Sequence, residues 1–273
     1  MSYRPFWGIL ERIFVMIKLG IYVNPDKDKD FSITNDIIAT ASSFYVQCEI
    51  ASKEEEYDYI ISLGGDGTFL SATKEFLGTP ILGVNLGRLG FLTEIDKGEI
   101  QKVVFNLVNE KFQIEERFLL ETEINGNKLY ALNDIVINRA YEKARLFDLT
   151  VSFNGKYADE YMADGVIVST PTGSTAYCLS AGGPIVEPKL DVLIVTPVCA
   201  HSLHHRPIIV GADTLIGISS KENTFMLTSD GQIPLKCEGI HEVRIKKSDK
   251  KAKIVKFEDR FFFDILREKF HLS

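Results

Sequence analysis

Gly64-Gly65-Asp66-Gly67-Thr68 follows the apolar run from Tyr59 to Leu63 directly and leads into Phe69-Leu70-Ser71-Ala72-Thr73-Lys74, a segment of helical composition. Glycines between a strand and a helix admit positive φ and remove side chains that would block a ligand, while the helix start offers unpaired N–H groups to an anion. Phosphate chemistry fits this arrangement. Asp66 is then the informative residue, because a carboxylate aimed at a phosphate repels it unless it serves a proton or a metal. The plain alternative is an aspartate that caps the helix beside a tight turn. Neither a Walker pattern nor G-x-G-x-x-G occurs in the chain, so ordinary P-loop and dinucleotide-dehydrogenase assignments lack their main support.

Two further segments carry candidate chemistry. Gly83-Val84-Asn85-Leu86-Gly87-Arg88-Leu89-Gly90-Phe91-Leu92 follows another apolar run, and its Phe91 is a candidate ring-stacking wall. From Ala163 to Pro184 an apolar strand ends at Ser169, after which hydroxyls, glycines and a proline crowd one loop. With Asp164 these hydroxyls could orient a sugar or amide ligand, and the competing reading is a solvated Ser/Thr/Gly loop. His201-Ser202-Leu203-His204-His205 suggests zinc, but no carboxylate or cysteine stands at ligand spacing, so no metal held by side chains is expected. No Ser-His-Asp or Cys-His pair has supporting context.

Stepping outward to the elements that must position these residues, the first part of the chain reads as α/β. Ile17–Val23, Tyr59–Leu63 and Ile81–Val84 are short continuous apolar runs separated by segments of helical length such as 31–45 and 68–77, the pattern of buried parallel strands joined by helices. In open sheets of this kind ligands bind beyond the carboxyl ends of the strands, so the two glycine loops face one crevice. After about residue 115 the pattern becomes alternation, with hairpin turns expected at Asn125-Gly126 and Asn154-Gly155 and a further pair of strands over 241–257 around a turn at Ser248-Asp249-Lys250-Lys251. The last segment, 257–272, spaces Phe261, Phe262, Ile265, Leu266 and Phe270 for one helix face that must dock.

Length and charge narrow the function classes. A chain of 273 residues suggests two domains, and 31 Lys and Arg against 38 Asp and Glu leave a net charge of −7. An acidic balance argues against an electrostatic nucleic-acid binder or a polybasic membrane protein, yet a few amides and cations can still hold a phosphate. The four cysteines, Cys48, Cys178, Cys199 and Cys237, are widely spread and read as reduced thiols of a cytosolic protein. The apolar N-terminus is interrupted by Glu11-Arg12 and no stretch reaches membrane-spanning length, so neither secretion nor a span is expected. Met16-Ile17-Lys18 resembles a natural start, which makes residues 1–15 an extension.

Together, the Gly64–Thr68 turn, Gly87–Leu92, Leu132-Asn133-Asp134 and the 163–184 segment resemble the NAD kinase family, ATP-dependent enzymes that phosphorylate NAD to NADP. The glycine turn is shared with diacylglycerol, sphingosine and 6-phosphofructokinases, whereas the other segments narrow the match. The resemblance, over roughly residues 17–270, implies an α/β N-terminal domain, Rossmann-like and phosphofructokinase-like, and an all-β C-terminal domain of β-sandwich type. The expected division is 16–101 plus 257–273 for the first and 102–256 for the second, with the site between them, completed by a neighbouring subunit of a homotetramer or dimer.

Carried over position by position, the resemblance makes Asp66 the general base on the 2′-hydroxyl of the adenosine ribose, and Gly67 a point of close backbone approach. Asn133 and Asp134 match a pair placed against ribose and adenine, with Asp where an Asn-Glu pair has the longer acid. Asp164 matches a contact to the nicotinamide end, and Thr172, Thr175, Ala176, Tyr177 and Ser180 match the loop around adenine and nicotinamide, Tyr177 by stacking. Gln232 matches a late contact, Arg145 a basic position near the diphosphate, and Met162 a position where relatives carry a cation. Lys74 could reach a phosphate, but for an isolated helix lysine a solvated face is the better reading. The implied partners are NAD and ATP with Mg²⁺, polyphosphate staying open as a donor, in a cytoplasmic enzyme without nucleic-acid or membrane partners. Two alternatives stand beside this: a lipid or sphingoid kinase sharing the glycine turn, and a non-catalytic NAD(P)-sensing protein.

Overall fold

The computed structural model describes residues 17–87, 90–93, 95–140, 147–202, 204–222, 224–257 and 261–270. The chain divides into two compact units. Residues 17–72, 79–114 and 255–257 make the first, and residues 73–78, 115–254 and 261–270 the second.

The first unit contains β1 (Lys18–Val23), α1 (Ser32–Ser43), β2 (Gln47–Ile50), β3 (Tyr59–Gly64), α2 (Asp66–Glu75), β4 (Pro80–Asn85), β5 (Ile95–Asp96) and α3 (Ile100–Val108), with the end of α2 grouped with the second unit. Its strands run in the order β2-β1-β3-β4, all parallel, with β5 parallel to β4. Leu19, Ile21, Ile61, Leu63, Leu82 and Val84 meet Ile37 and Ala41 of α1 and Val103, Val104 and Leu107 of α3 in one core. Continuous apolar strands are what a parallel sheet covered by helices requires. The strands β1, β3 and β4 and helices α1 and α2 fall where the apolar runs predict them, while β2 is an addition too short and polar to announce itself.

The second unit holds β6 (Gln113–Ile124), whose first two residues group with the first unit, β7 (Asn127–Ala131), β8 (Asp134–Arg139), β9 (Phe147–Phe153), β10 (Lys156–Ala163), β11 (Gly165–Ser169), α4 (Tyr177–Ser180), β12 (Val192–Val198) and β13 (Ile208–Gly211). It continues with β14 (Ile216–Ser220), β15 (Thr224–Ser229), β16 (Leu235–Glu238), β17 (Glu242–Lys256) and α5 (Phe262–Phe270). One antiparallel sheet has the order β13-β12-β11-β8-β15-β16, and a second set runs β10-β9-β14-β17 with β6 between β17 and β7. Residues from both, including Leu120, Ile135, Ile137, Phe147, Leu149, Val151, Val166, Val168, Leu193, Val195, Ile216 and Ile245, share one core, which makes the unit a β-sandwich. The hairpins turn at Asn125-Gly126 and Asn154-Gly155, where all four residues have positive φ, as a two-residue primed turn demands.

Two expectations are corrected. Residues 241–257 form one strand, β17, rather than two around a turn at 248–251. Its buried positions change phase between Ile245 and Ser248, so the alternation looks broken although the strand continues. Ser248 Oγ both donates to Glu121 Oε2 and accepts from Lys250 N within that stretch. Helix α5 buries Ile265 and Leu266 but leaves Phe261, Phe263 and Phe270 57, 38 and 40% exposed, so only part of the expected aromatic face docks. It also groups with the second unit, whereas residues 102–114 group with the first, because α3 packs in the first core.

Leu149 of β9 has no exposed surface. Leu149→Ala is expected to lower stability by about 2–5 kcal/mol, measured as a shift of the urea midpoint with unchanged slope.

Candidate active site

In the first unit the glycine turn is an element boundary built to hold one carboxylate. β3 ends at Gly64, α2 begins at Asp66, and Leu86 N donates to Gly64 O at 2.9 Å, tying the turn to the end of β4. The Asp66 side chain reaches out of its own helix. Its Oδ2 accepts from Phe91 N at 2.9 Å and its Oδ1 from Leu92 N at 3.0 Å, so the second glycine loop aims the carboxylate. The carboxylate is thereby a positioned acid. Gly90 makes this approach possible, since a Cβ there would stand 2.6 Å from the Asp66 carboxyl carbon.

The glycines of the turn differ in what they are for. A Cβ on Gly64 would meet Thr68 Cβ at 2.6 Å, so that glycine serves packing. Gly65 and Gly67 have nothing within 4 Å of the position a Cβ would take and need no positive φ. Neither conformation nor packing inside the protein demands glycine there, and the space beside both is open.

In the second unit the candidate residues gather around the six-stranded sheet. Asp134 pairs with Ser169 across β8 and β11, and Asp164 precedes β11 at its other end, roughly 17 Å away for five residues of strand. Arg139, the last residue of β8, pairs with Asp164 at 3.1 Å. Residues 170–186 fold back on the outer face of this sheet, where Val136, Ile167, Ile194 and Val198 pack with Cys178 and Val186. The sheet is thus apolar on both faces, which explains the unbroken Val166-Ile167-Val168 run.

The loop is not a solvated one. Thr170 Oγ1 donates to Leu132 O at 2.6 Å and Ser169 Oγ to Asn133 O at 3.1 Å. Ser174 Oγ joins both backbone groups of Val186, at 3.0 and 3.1 Å. These buried hydroxyls build the loop. What they leave accessible is another set: Thr172, Thr175 and Ala176 are half-buried, Tyr177 and Ser180 are exposed. Burial first, then the charges of Cys199, Asp134 and Asp164, push the Tyr177 phenol upward, so its ring lies within electrostatic reach of both carboxylates. Arg117 of β6, which sequence reasoning did not single out, donates to Thr172 Oγ1 at 3.3 Å and pairs with Glu115 at 2.7 Å.

Asp134 and its neighbours form the most heavily coupled group. Asp230, in a left-handed turn after β15, accepts from the amides of Leu132, Asn133 and Asp134. Lys74, expected on a solvated face, instead lies beside this turn and donates to Ser229 O at 2.6 Å and Ser229 Oγ at 2.9 Å. Burial and the Asp230 carboxylate push the Asp134 carboxyl up to about 7, against the pull of Lys74. Burial also lowers Lys74, although Asp230 and Asp134 oppose that shift.

The remaining candidates are placed less tellingly. Met162 on β10 is half-exposed, with its carbonyl accepting from His201 N at 2.8 Å; Phe91 is half-buried and Gln232 exposed. Arg145 lies outside the described residues. Of the histidines, His205 Nδ1 pairs with Asp159 at 3.3 Å and its ring meets Tyr161 edge-on. Among the described residues no group of three His, Cys, Asp or Glu could hold a metal ion.

Residues 23–112 match the ATP-NAD kinase N-terminal domain and residues 132–257 the ATP-NAD kinase C-terminal domain. The chain belongs to the NAD kinase family. An NAD kinase of Thermoanaerobacter sp. (strain X514) is 40% identical over 280 residues, spanning 93% of this chain and 99% of its own. One of Caldicellulosiruptor bescii is 39% identical over 263 residues with the same two shares, 93% and 99%. Among solved structures, an NAD kinase from Archaeoglobus fulgidus in complex with ATP is similar with a TM-score of 0.81 and 27% identity over 93% of this chain and 99% of that one. Yeast NADH kinase complexed with NADH gives a TM-score of 0.80 and 25% identity over 94% and 88%. The expected two-domain fold class and the kinase assignment hold, and the lipid and sphingoid kinase alternative is not favoured.

The two kinds of glycine in the kinase turn separate by experiment. Gly64→Ala is expected to cost about 1–3 kcal/mol through its clash with Thr68. Gly67→Ala, exposed in the first turn of α2, should keep or gain about 0.5–1 kcal/mol while losing most turnover. Thermal melting and NADP formation on both variants check this.

Proposed function

We propose that this NAD kinase transfers the γ-phosphoryl group of ATP to the 2′-hydroxyl of the adenosine ribose of NAD, with Asp66 as the general base. The observation that carries the assignment of Asp66 is its carboxylate, held by the amides of Phe91 and Leu92 beside two glycines whose missing side chains leave open space. An oriented carboxylate at such a turn can take the hydroxyl proton as the ribose oxygen attacks the γ-phosphorus and ADP leaves. Positioning and charge neutralisation supply most of the rate in phosphoryl transfer, so the base contributes an alignment as much as a proton acceptor.

Mg²⁺ enters in this reading as part of the ATP substrate, screening the β- and γ-phosphates. The donor set agrees with that role, because magnesium is commonly bound through one or two carboxylates plus substrate phosphates rather than by an all-protein cage. Asn133 and Asp134 are assigned to the ribose and adenine, Asp164 to the nicotinamide end, and Thr172, Thr175, Ala176, Tyr177 and Ser180 to the loop between them. Support for the loop residues comes from accessibility: the hydroxyls of this segment that stay buried are consumed by Leu132, Asn133 and Val186, whereas Thr172, Thr175, Ala176, Tyr177 and Ser180 are not buried. Gln232, Met162 and Arg145 complete the assignment at its periphery, and Phe91 stands as a wall beside the Asp66 carboxylate.

The family resemblance also supports a cytoplasmic homo-oligomer, tetramer or dimer, and no helix among the described residues is long and apolar enough to cross a membrane. Light scattering on the purified chain should return two or four times the 30.7 kDa of one subunit. Asp66→Asn keeps the size and the hydrogen-bond acceptor of the side chain and removes its basicity. It is expected to lower kcat by about 10²–10⁴-fold with NAD binding retained, followed as NADP formed from ATP, Mg²⁺ and NAD. Turnover near that of the unaltered protein would remove Asp66 from the role.

A further inference from the structure

The side chain of Asp230 is 1% exposed, yet it lies on a two-residue turn, Asp230-Gly231, where an ordinary turn residue would face solvent. Its Oδ1 accepts from Asn133 N at 2.7 Å and Asp134 N at 3.2 Å, and its Oδ2 from Leu132 N at 3.0 Å. In return Asp230 N donates to Asp134 O at 2.9 Å. Lys74 Nζ stands 3.5 Å from Asp230 Oδ2 and is itself fixed by Ser229 O and Oγ, while Ser229 Oγ donates to Tyr130 O at 2.7 Å. Apart from those of Lys74, the contacts of this group end on the backbone of 130–134.

A carboxylate taken out of water this completely is unfavourable, and here three amides and a cation offset part of the burial that pushes its carboxyl upward. The compensation fixes three consecutive amides in space. Asn133 and Asp134 therefore project from a peptide segment that has no freedom to tilt.

We propose that Asp230, braced by Lys74, is a positioning residue for the reaction: its buried carboxylate fixes the backbone that presents Asn133 and Asp134 to the adenosine of NAD. This rests on the assignment of Asn133 and Asp134 made above. The arrangement has a second effect through charge. The groups that act on Asp134 are Asp230 and Lys74, and Tyr177 and Cys178 of α4 in turn feel its charge. Removing the Asp230 charge should lower the pH at which Asp134 titrates, and removing the Lys74 charge should raise it.

The opposite signs make the test. NAD binding by calorimetry between pH 5 and 9, together with steady-state KM for NAD and for ATP, would be measured on the full chain and on Asp230→Asn, Lys74→Met and Asp134→Asn. Lys74→Gln serves as a milder variant that keeps a donor to Ser229 while losing the charge. The unaltered protein should show a pH dependence of NAD affinity centred near neutrality that Asp134→Asn lacks. Asp230→Asn should move the midpoint to lower pH, and Lys74→Met or Lys74→Gln to higher pH. Each should raise KM for NAD by about tenfold or more with KM for ATP changed far less. Folded variants with KM for NAD within about twofold of the unaltered protein, or midpoints that stay put or move the same way, overturn the proposal. An unaltered protein that makes no NADP would instead overturn the functional assignment on which it rests.

Discussion

A single buried carboxylate organises the second unit. Asp230 reaches its position because the left-handed turn after β15 folds its side chain back toward the start of β8, where burial pushes its carboxyl upward against the pull of Lys74 and three amides. Breaking such a set by removing one partner leaves an uncompensated group in a dry place, which is far costlier than the modest net worth of any one hydrogen bond. The strand pairing of β8 with β15 and β11, the seating of the 170–186 loop on Leu132 and Asn133, and the burial of Asp134 all require the segment from 130 to 134 to sit where Asp230 holds it.

The same device recurs at smaller scale. Asp66 is held by Phe91 and Leu92 amides, and Asp28, 2% exposed, accepts from the amides of Ile33 and Thr34 and from the Thr34 hydroxyl at the start of α1. A protein with a net charge of −7 thus handles its own carboxylates with oriented peptide dipoles rather than with a surplus of basic side chains. Phosphate recognition on such a scaffold has to follow the same rule of local N–H groups and few cations.

The parts legible in the sequence are those whose cause is local. Parallel strands that must be apolar on both faces show as β1, β3 and β4, and Asn-Gly pairs at φ near +50° and +80° show as hairpin turns. The glycine turn and the Asp66 in it are legible because three glycines and an acid stand directly between an apolar run and a helical segment. What escaped depends on distant partners. Lys74 looks solvated until a residue 155 positions later covers it, and Asp230 looks like turn chemistry until its side chain meets the 132–134 amides. The 248–251 stretch resembles a turn by composition, but strand pairing outweighs that local preference and carries β17 straight through. Likewise, no feature of a Ser/Thr-rich loop distinguishes the hydroxyls that Leu132, Asn133 and Val186 consume from those left accessible.

The length of β17 bears on how the chain assembles. The core of the first unit contains Val255, with Phe257 packed against it, although all its other members lie before residue 115. During synthesis the N-terminal α/β sheet therefore waits for its last core residue until nearly the whole second unit has left the ribosome. The two units cannot mature strictly in chain order, as domains that are continuous in sequence generally do.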